Sequence, residues 1–188
     1  GCTFFIKTLE LNLFPLSKTK FMTVIFETER LNLRHLQEND GDDFYKLMSN
    51  QNVVIYTPSA VLNRKESDLK LASLMNTNHH FWAVELKTTK EFIGIAGLKI
   101  QSTAIAEIAY SIREQFWSKG YGGEIAKGLI KYGFTHFNYS KLLAFADPKN
   151  KNSLKILSKQ MNYLGCFYSE EYKCDDETFE LTKKQWTQ

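Results

Sequence analysis

The sequence predicts an α+β (mixed α/β) domain built on one mostly antiparallel, twisted sheet. Three observations carry that expectation. Three strand-like segments, "FWAVELKTT", "EFIGIAGLKIQ" and "IAEIAYSI", follow one another through links short enough for antiparallel hairpins, Thr89–Glu91 and Ser102–Ala104. The glycine-rich "KGYGGE" then opens a long helical pattern that leads to the apolar run "KLLAFADP", one strand–helix–strand step. "YLGCFYSEEY" and "ETFELTKKQW" close the chain as a further antiparallel pair. The expected sheet has six to seven strands, flanked by about four helices.

The elements follow in order. "ERLNLRHL" alternates Leu31 and Leu33 with polar neighbours, as a half-buried strand does. "ENDGDDFYKLM" reads as a short helix with Asn39 or Asp40 as its cap. Asn63 to Asn76 reads as a longer helix, with Leu69, Ala72, Leu74 and Met75 expected to face inward. From Gly120 to Asn138 the pattern gives about 27 Å of helix at ~1.5 Å per residue. Two stripes mark its buried side: Ile125, Leu129, Tyr132 and His136, then Ala126, Ile130, Phe134 and Phe137. "NKNSLKILSKQM" is a second such helix, with Leu154, Leu157 and Met161 inward.

Composition narrows the classes. The 188 residues suit one domain with a proper core, and 43% hydrophobic with 14% aromatic residues excludes a disordered chain. No apolar run reaches the ~20 residues of a membrane helix. The net charge of +3 is spread along the chain and points to neither nucleic acid nor a membrane surface. Cys2, Cys166 and Cys174 form no CxxC pair, which fits reduced thiols in a cytoplasmic protein, buried rather than bridged. Residues 1–21 differ in composition and lack the order of a secretory signal. We expect them to be an N-terminal extension, with the domain spanning 22–188. Leu9, Leu11 and Leu13 alternate there as a short added strand would.

The chemistry starts at Gly120, Gly122 and Gly123. A P-loop needs Lys and Ser/Thr after its last glycine, but Glu124 follows, so that reading fails. A dinucleotide fingerprint would need glycine at position 125, which is Ile, and a strand ending nearer than Ile112. That reading stays as a minor alternative. A loop that ends in consecutive N–H groups at a helix start holds a pyrophosphate by backbone alone, with Lys119 adding charge and Glu124 opposing it slightly. The bland reading is a turn that serves chain geometry only.

"TERLNLRHLQEND", "FIGIAGL", "EIAYSI", "FWSKGYGGE" and "NKNSLKILSKQMNY" together resemble the GNAT superfamily of acetyl-CoA-dependent N-acetyltransferases. Within it they resemble the branch of the ribosomal-protein acetyltransferases RimJ and RimL, over roughly Glu27 to the C-terminus. The resemblance implies the GNAT fold, with the strand–helix–strand step at the CoA site. It implies direct acetyl transfer from acetyl-CoA to a primary amine, without an acyl-enzyme. The family's phosphate loop maps onto Trp117, Ser118, Lys119, Gly120, Tyr121 and Gly122, followed by Gly123, with Trp117 in place of the usual Gln or Arg. Tyr110 and Ile112, on the strand before the loop, join the cofactor-binding set. The family's N-x-x-S pattern maps onto Asn150 and Ser153, the asparagine toward the pantetheine arm and the serine near the thiol. The closing "GF" of the family is Asn162-Tyr163 here, a looser match.

Such a reaction needs a proton acceptor for the amine and a donor for the leaving thiolate. Glu107 is the leading base candidate, on one strand face with Ala109 and Ser111; a solvated strand glutamate is the equal alternative. Ser153 and Ser158 are the candidates near the sulfur, Ser158 standing where many relatives carry Tyr or Glu. Asn150 also reads as a helix cap, a role compatible with a CoA contact. Lys149, Lys151, Lys155 and Lys159 form a mostly solvated face, of which one or two would meet the 3′-phosphate. His80 and Trp82 are candidates for the acceptor pocket. The adjacent His79 and His80 make a poor metal site, so no metal is expected. The expected acceptor is a protein N-terminus or a small amine, and the protein a monomer or homodimer. A CoA-binding sensor without turnover is the alternative function.

Overall fold

The computed structural model describes residues 23–57, 59–170 and 174–186. The expected extension at 1–21 therefore lies outside the described residues. The elements run β1 (Val24–Glu27), β2 (Leu31–His35), a 3-10 turn (Glu38–Asp40), α1 (Gly41–Met48), α2 (Gln51–Val54) and α3 (Arg64–Met75). Then come β3 (His80–Leu86), β4 (Phe92–Ile100), β5 (Ile105–Ile112), a second 3-10 turn (Glu114–Phe116) and α4 (Tyr121–Thr135). β6 (Lys141–Ala146), α5 (Lys151–Leu157), β7 (Asn162–Ser169) and β8 (Cys174–Thr182) complete the chain.

Among the described residues the strands form one eight-stranded sheet in the order β1-β2-β3-β4-β5-β6-β8-β7. This exceeds the expected six to seven strands by β1, and the helices exceed four by α2. Both extra elements are four residues long, too short for either periodicity to show.

Every neighbouring pair is antiparallel except β5 and β6, which run parallel. That pair is bonded only from Ile105↔Lys141 to Glu107↔Leu143. Beyond it, β5 stays paired to β4 as far as Ile112, and β6 to β8 as far as Ala146. The sheet therefore splits into a V-shaped gap, along which β5 beyond Glu107 and β6 beyond Leu143 are not paired to each other.

Two cores cover the two faces. The larger lies under α4 and α5 and holds Leu98, Ile108, Ile125, Leu129, Phe134, Leu142 and Leu157. The smaller lies under α1 to α3 around Phe44, Leu47, Val54, Leu71 and Phe92. α4 buries both expected stripes in part, through Ile125, Ala126, Leu129, Ile130 and Phe134. In α3 the expected stripe holds for Leu74 and Met75, which pack against the smaller core, and is corrected for Leu69 and Ala72. Ser67 and Leu71 face inward, whereas Leu69 is 64% exposed and Ala72 is exposed. Leu69 and Leu71, two residues apart, stand about 200° apart on a helix and cannot share a face. Cys166 and Cys174 are free and exposed rather than buried, because β7 is the sheet's edge and the register opposes Cys166 to Glu177.

Candidate functional site

The gap between β5 and β6 opens toward the loop that precedes α4. Trp117 fixes the start of that loop: its indole N–H donates to the Ile112 carbonyl at 2.7 Å. The Glu114 carboxylate ties the preceding turn to α2, accepting from Asn50 and Asn52 at 2.8 Å each. Ser118 and Gly120 then take left-handed backbone conformations, φ +61° and +83°. Glycine adopts that conformation freely; a serine does so at a cost.

The first helical bond of α4 runs from the Glu124 N–H to the Gly120 carbonyl. No side chain caps the helix, and the N–H groups of residues 118 to 123 have no acceptor among the described residues. These donors add to the positive end of the helix dipole and form a cradle for an anion.

The glycines of the cradle do different work. A Cβ on Gly122 would stand 2.8 Å from Ile156 Cδ1 of α5, with Ile112 and Tyr110 just beyond. Gly122 therefore sets the close approach of α4 to α5. A Cβ on Gly123 would meet nothing within 4 Å among the described residues, so Gly123 faces open space. The Gly123 carbonyl is held from α5's end by the Gln160 amide at 3.1 Å. Lys119 places its ammonium 5.3 Å from the Phe116 ring, at the base of the loop.

On the α4–α5 face of the gap, the Tyr110 hydroxyl lies 3.4 Å from Ser153 Oγ. This contact joins β5 to the start of α5, across the split in the sheet. Burial pushes the Tyr110 phenol above its ordinary value, against a small opposing effect of Ser153, so it stays protonated at neutral pH. Asn150 caps α5 through the Ser153 N–H at 3.1 Å. Its side-chain amide N–H groups have no acceptor among the described residues. The cap role and the cofactor role thus use different atoms.

Glu107 occupies the opposite face, at the last paired residue before the split. It is 6% exposed, which sets aside the solvated reading. Lys99 bonds one carboxylate oxygen at 2.7 Å and Gln101 the other at 3.2 Å. Ser158 is not brought to the gap. It is exposed at the end of α5, donates to the Lys155 carbonyl at 3.3 Å, and lines a groove of about 410 Å³ with Leu154, Tyr163, Glu177 and Phe179.

His80 and Trp82 do not face the gap either. Trp82 is 4% exposed under α4, edge-on to Phe26 and Tyr132, and His80 stacks on Phe137 at 4.1 Å. Burial, with His79 and His136 nearby, pushes the His80 imidazole below its ordinary value. The pocket expectation for this pair is corrected: Trp82 points to the larger core. Lys149, Lys151, Lys155 and Lys159 are exposed, as a solvated face requires. Among the described residues no group of His, Cys, Asp and Glu is arranged to hold a metal, and no helix is long and apolar enough to cross a membrane.

Sequence reasoning missed three features: the Trp117 anchor, the Tyr110–Ser153 contact, and a clasp on Glu124 made by Thr28 and Arg30. The signal for the clasp was present in "TERL", but the contact joins residues 94 apart in the chain.

Comparison with known proteins places this geometry in context. Residues 30–160 match the family described as the acetyltransferase (GNAT) domain. An uncharacterized N-acetyltransferase, p20, of Bacillus licheniformis is 32% identical over 139 residues, 70% of this chain and 78% of that protein. The uncharacterized protein YkkB of Bacillus subtilis is 27% identical over 165 residues, 82% of this chain and 88% of that protein. Among solved structures, a GNAT-family acetyltransferase from Bacillus anthracis superposes with a TM-score of 0.78 at 21% identity, covering 84% of this chain and 98% of the other. RimL, a ribosomal L7/L12 alpha-N-protein acetyltransferase in complex with coenzyme A, superposes at 0.74 and 14% identity, covering 87% and 100%. At these identities the structures speak for the fold.

Proposed function

The chain belongs to the GNAT acetyltransferase family, and we propose that it moves the acetyl group of acetyl-CoA directly onto a primary amine, in the first place a protein N-terminal α-amine. The observation that carries the reading is the split between β5 and β6 leading to a loop of unpartnered N–H groups. A thioester arm needs an extended slot with backbone partners, and its diphosphate needs concentrated donors. Both occur here, end to end.

In this reading the N–H groups of residues 118 to 123 hold the pyrophosphate. The inner edges of β5 and β6 align the pantetheine arm between them. The Asn150 side-chain N–H groups, without an acceptor among the described residues, reach the same arm. Ser153 passes a proton to the departing thiolate as it takes one from the Tyr110 hydroxyl 3.4 Å away, and Tyr110 is reprotonated from solvent. Glu107 takes the amine's proton through water, with Lys99 and Gln101 holding its carboxylate in place. Ser158 has no part at the sulfur.

The acceptor follows from proton availability. With a pKa near 7.8, an α-amine is roughly one quarter neutral near pH 7.4; a lysine, near 10.4, is about one part in a thousand. Both Glu107 carboxylate oxygens are already held, by Lys99 and Gln101, which favours the amine that needs least help in losing its proton. A polycationic small amine is the second reading. Burial, and then the neighbouring Asp147, raise the Asp176 carboxyl at the open end of β6 and β8. Thiol release from acetyl-CoA would be followed with peptides carrying free N-termini, with Nα-blocked lysine peptides, and with polyamines. Turnover of free N-terminal peptides alone supports the first reading. Turnover of polyamines alone replaces it, and binding of acetyl-CoA without turnover of any acceptor leaves a sensor.

A further inference from the structure

Glu124 poses a problem for a phosphate cradle. It sits in the first turn of α4, where a carboxylate stabilises the helix but repels an incoming diphosphate. One residue resolves the conflict. Arg30, just before β2, donates its Nε–H to Glu124 Oε2 at 2.7 Å and its backbone N–H to Oε1 at 2.7 Å. Thr28 adds its hydroxyl to Oε1. Burial works against the charge on Glu124, but these bonds outweigh it, so the carboxyl stays below its ordinary value and ionised.

The same guanidinium also reaches the loop itself. Its NH1 donates to the Lys119 carbonyl at 2.9 Å, and its plane lies over the Tyr121 ring at 4.5 Å. Its NH2 stands 3.3 Å from where a Cβ on Gly120 would be, so Gly120 lets it pass. One side chain thus touches residues 119, 120, 121 and 124. An ordinary exposed ion pair contributes little to stability. The Arg30 side chain is 43% exposed, so stability is a poor account of such dense contact.

We propose that Arg30 is a positioning residue for the phosphate loop: it cancels the Glu124 charge and pins the Lys119 carbonyl outward, so the loop's N–H groups face a diphosphate unopposed. This rests on the reading that the loop takes the CoA pyrophosphate. Arg30 acts through Glu124 and the loop backbone.

The test is calorimetric titration of acetyl-CoA, and of acetyl-dephospho-CoA, into the wild type, Arg30→Gln, Glu124→Gln and the double variant, with melting curves for each. Arg30→Gln is expected to weaken both ligands about tenfold by the same factor, because the diphosphate is common to them. Glu124→Gln in the Arg30→Gln background is expected to recover most of that loss, since the stranded carboxylate is gone. A structural clamp predicts no recovery. Arg30→Lys keeps the charge and serves if Arg30→Gln melts early; it is expected to lie between. Undiminished affinity in Arg30→Gln, or a double variant as weak as the single, overturns the inference. A loss confined to acetyl-CoA would place Arg30 at the 3′-phosphate and also overturn it. A wild type that binds neither ligand fails the underlying reading instead, a separate outcome.

Discussion

Arg30 and Arg34 leave the same stretch of chain four residues apart and enter opposite worlds. Arg34 turns to the α1 face, where it takes both oxygens of Asp40 at 2.7 and 2.9 Å and Glu85 at 2.8 Å. Asn32 completes Glu85, and the Gln37 N–H completes Asp40. The three charged side chains are 2–6% exposed, and Ser67 Oγ alone among the described buried side-chain atoms lacks a partner. Arg30 turns to the α4 face, 43% exposed, beside a row of N–H groups without acceptors among the described residues. A network with every polar atom satisfied is scaffold. A network arranged around such donors is the one we propose as a site.

The largest effect should come from breaking the scaffold. Arg34→Met strands two buried carboxylates, which costs about 3–5 kcal/mol. The melting temperature should fall by roughly 10 °C, while the folded fraction keeps its acetyl-CoA affinity. Acid treatment probes the same network. Burial raises the Glu85 carboxyl, but Asn32 and Arg34 outweigh it and hold it below its ordinary value. Its contribution is therefore full above the unfolded value near 4.3 and is lost as pH falls through the lower folded value. The Glu85 contribution should stay constant from pH 7 to about pH 5 and be lost only below about 4, whereas the depressed His80 imidazole takes stability away as pH falls through its unfolded value near 6.5. Equal acid sensitivity in Arg34→Met and wild type would contradict this.

The two loop glycines sharpen the contrast from the other side. Gly122→Val crowds its Cβ against Ile156 Cδ1 between α4 and α5 and costs about 1–3 kcal/mol, and acetyl-CoA affinity should fall by about a hundredfold with it. Gly123→Asp meets open space, so its melting curve should match the wild type. Its carboxylate at the cradle should still weaken acetyl-CoA about tenfold. Calorimetry beside melting curves separates them; a stable Gly122→Val with normal affinity would remove the close-approach account.

Glu107→Gln should lower turnover several-fold at pH 7, with the gap closing as pH rises and solvent deprotonates the acceptor. A deficit constant across pH would mean Glu107 only anchors Lys99. Tyr110→Phe should be the mildest change. Loss of the hydroxyl behind Ser153 should reduce kcat a few-fold and leave acetyl-CoA affinity intact; a changed affinity would instead make Tyr110 part of the slot.

Much of this was legible beforehand where the signal is local. Strand alternation, the hairpin links and the glycine-to-helix step gave the sheet, and the loop from Trp117 to Gly123 was named residue by residue. What was not legible depends on distance. β1 and α2 are too short to show a period. Leu69 was misplaced because composition was read without phase. The Arg30–Glu124 clasp and the Tyr110–Ser153 contact join residues 94 and 43 apart, and no spacing rule reaches that far. Gly122 and Gly123 looked equivalent until α5 was seen packed against one of them alone.

The central claim is that the cradle at the start of α4 holds the diphosphate of acetyl-CoA. The most direct measurement is a calorimetric titration of the wild-type protein with acetyl-CoA, with NADH as the comparison ligand. Saturable, one-to-one binding of acetyl-CoA with no response to NADH is the predicted result. Binding of NADH in its place, or of neither, would contradict it.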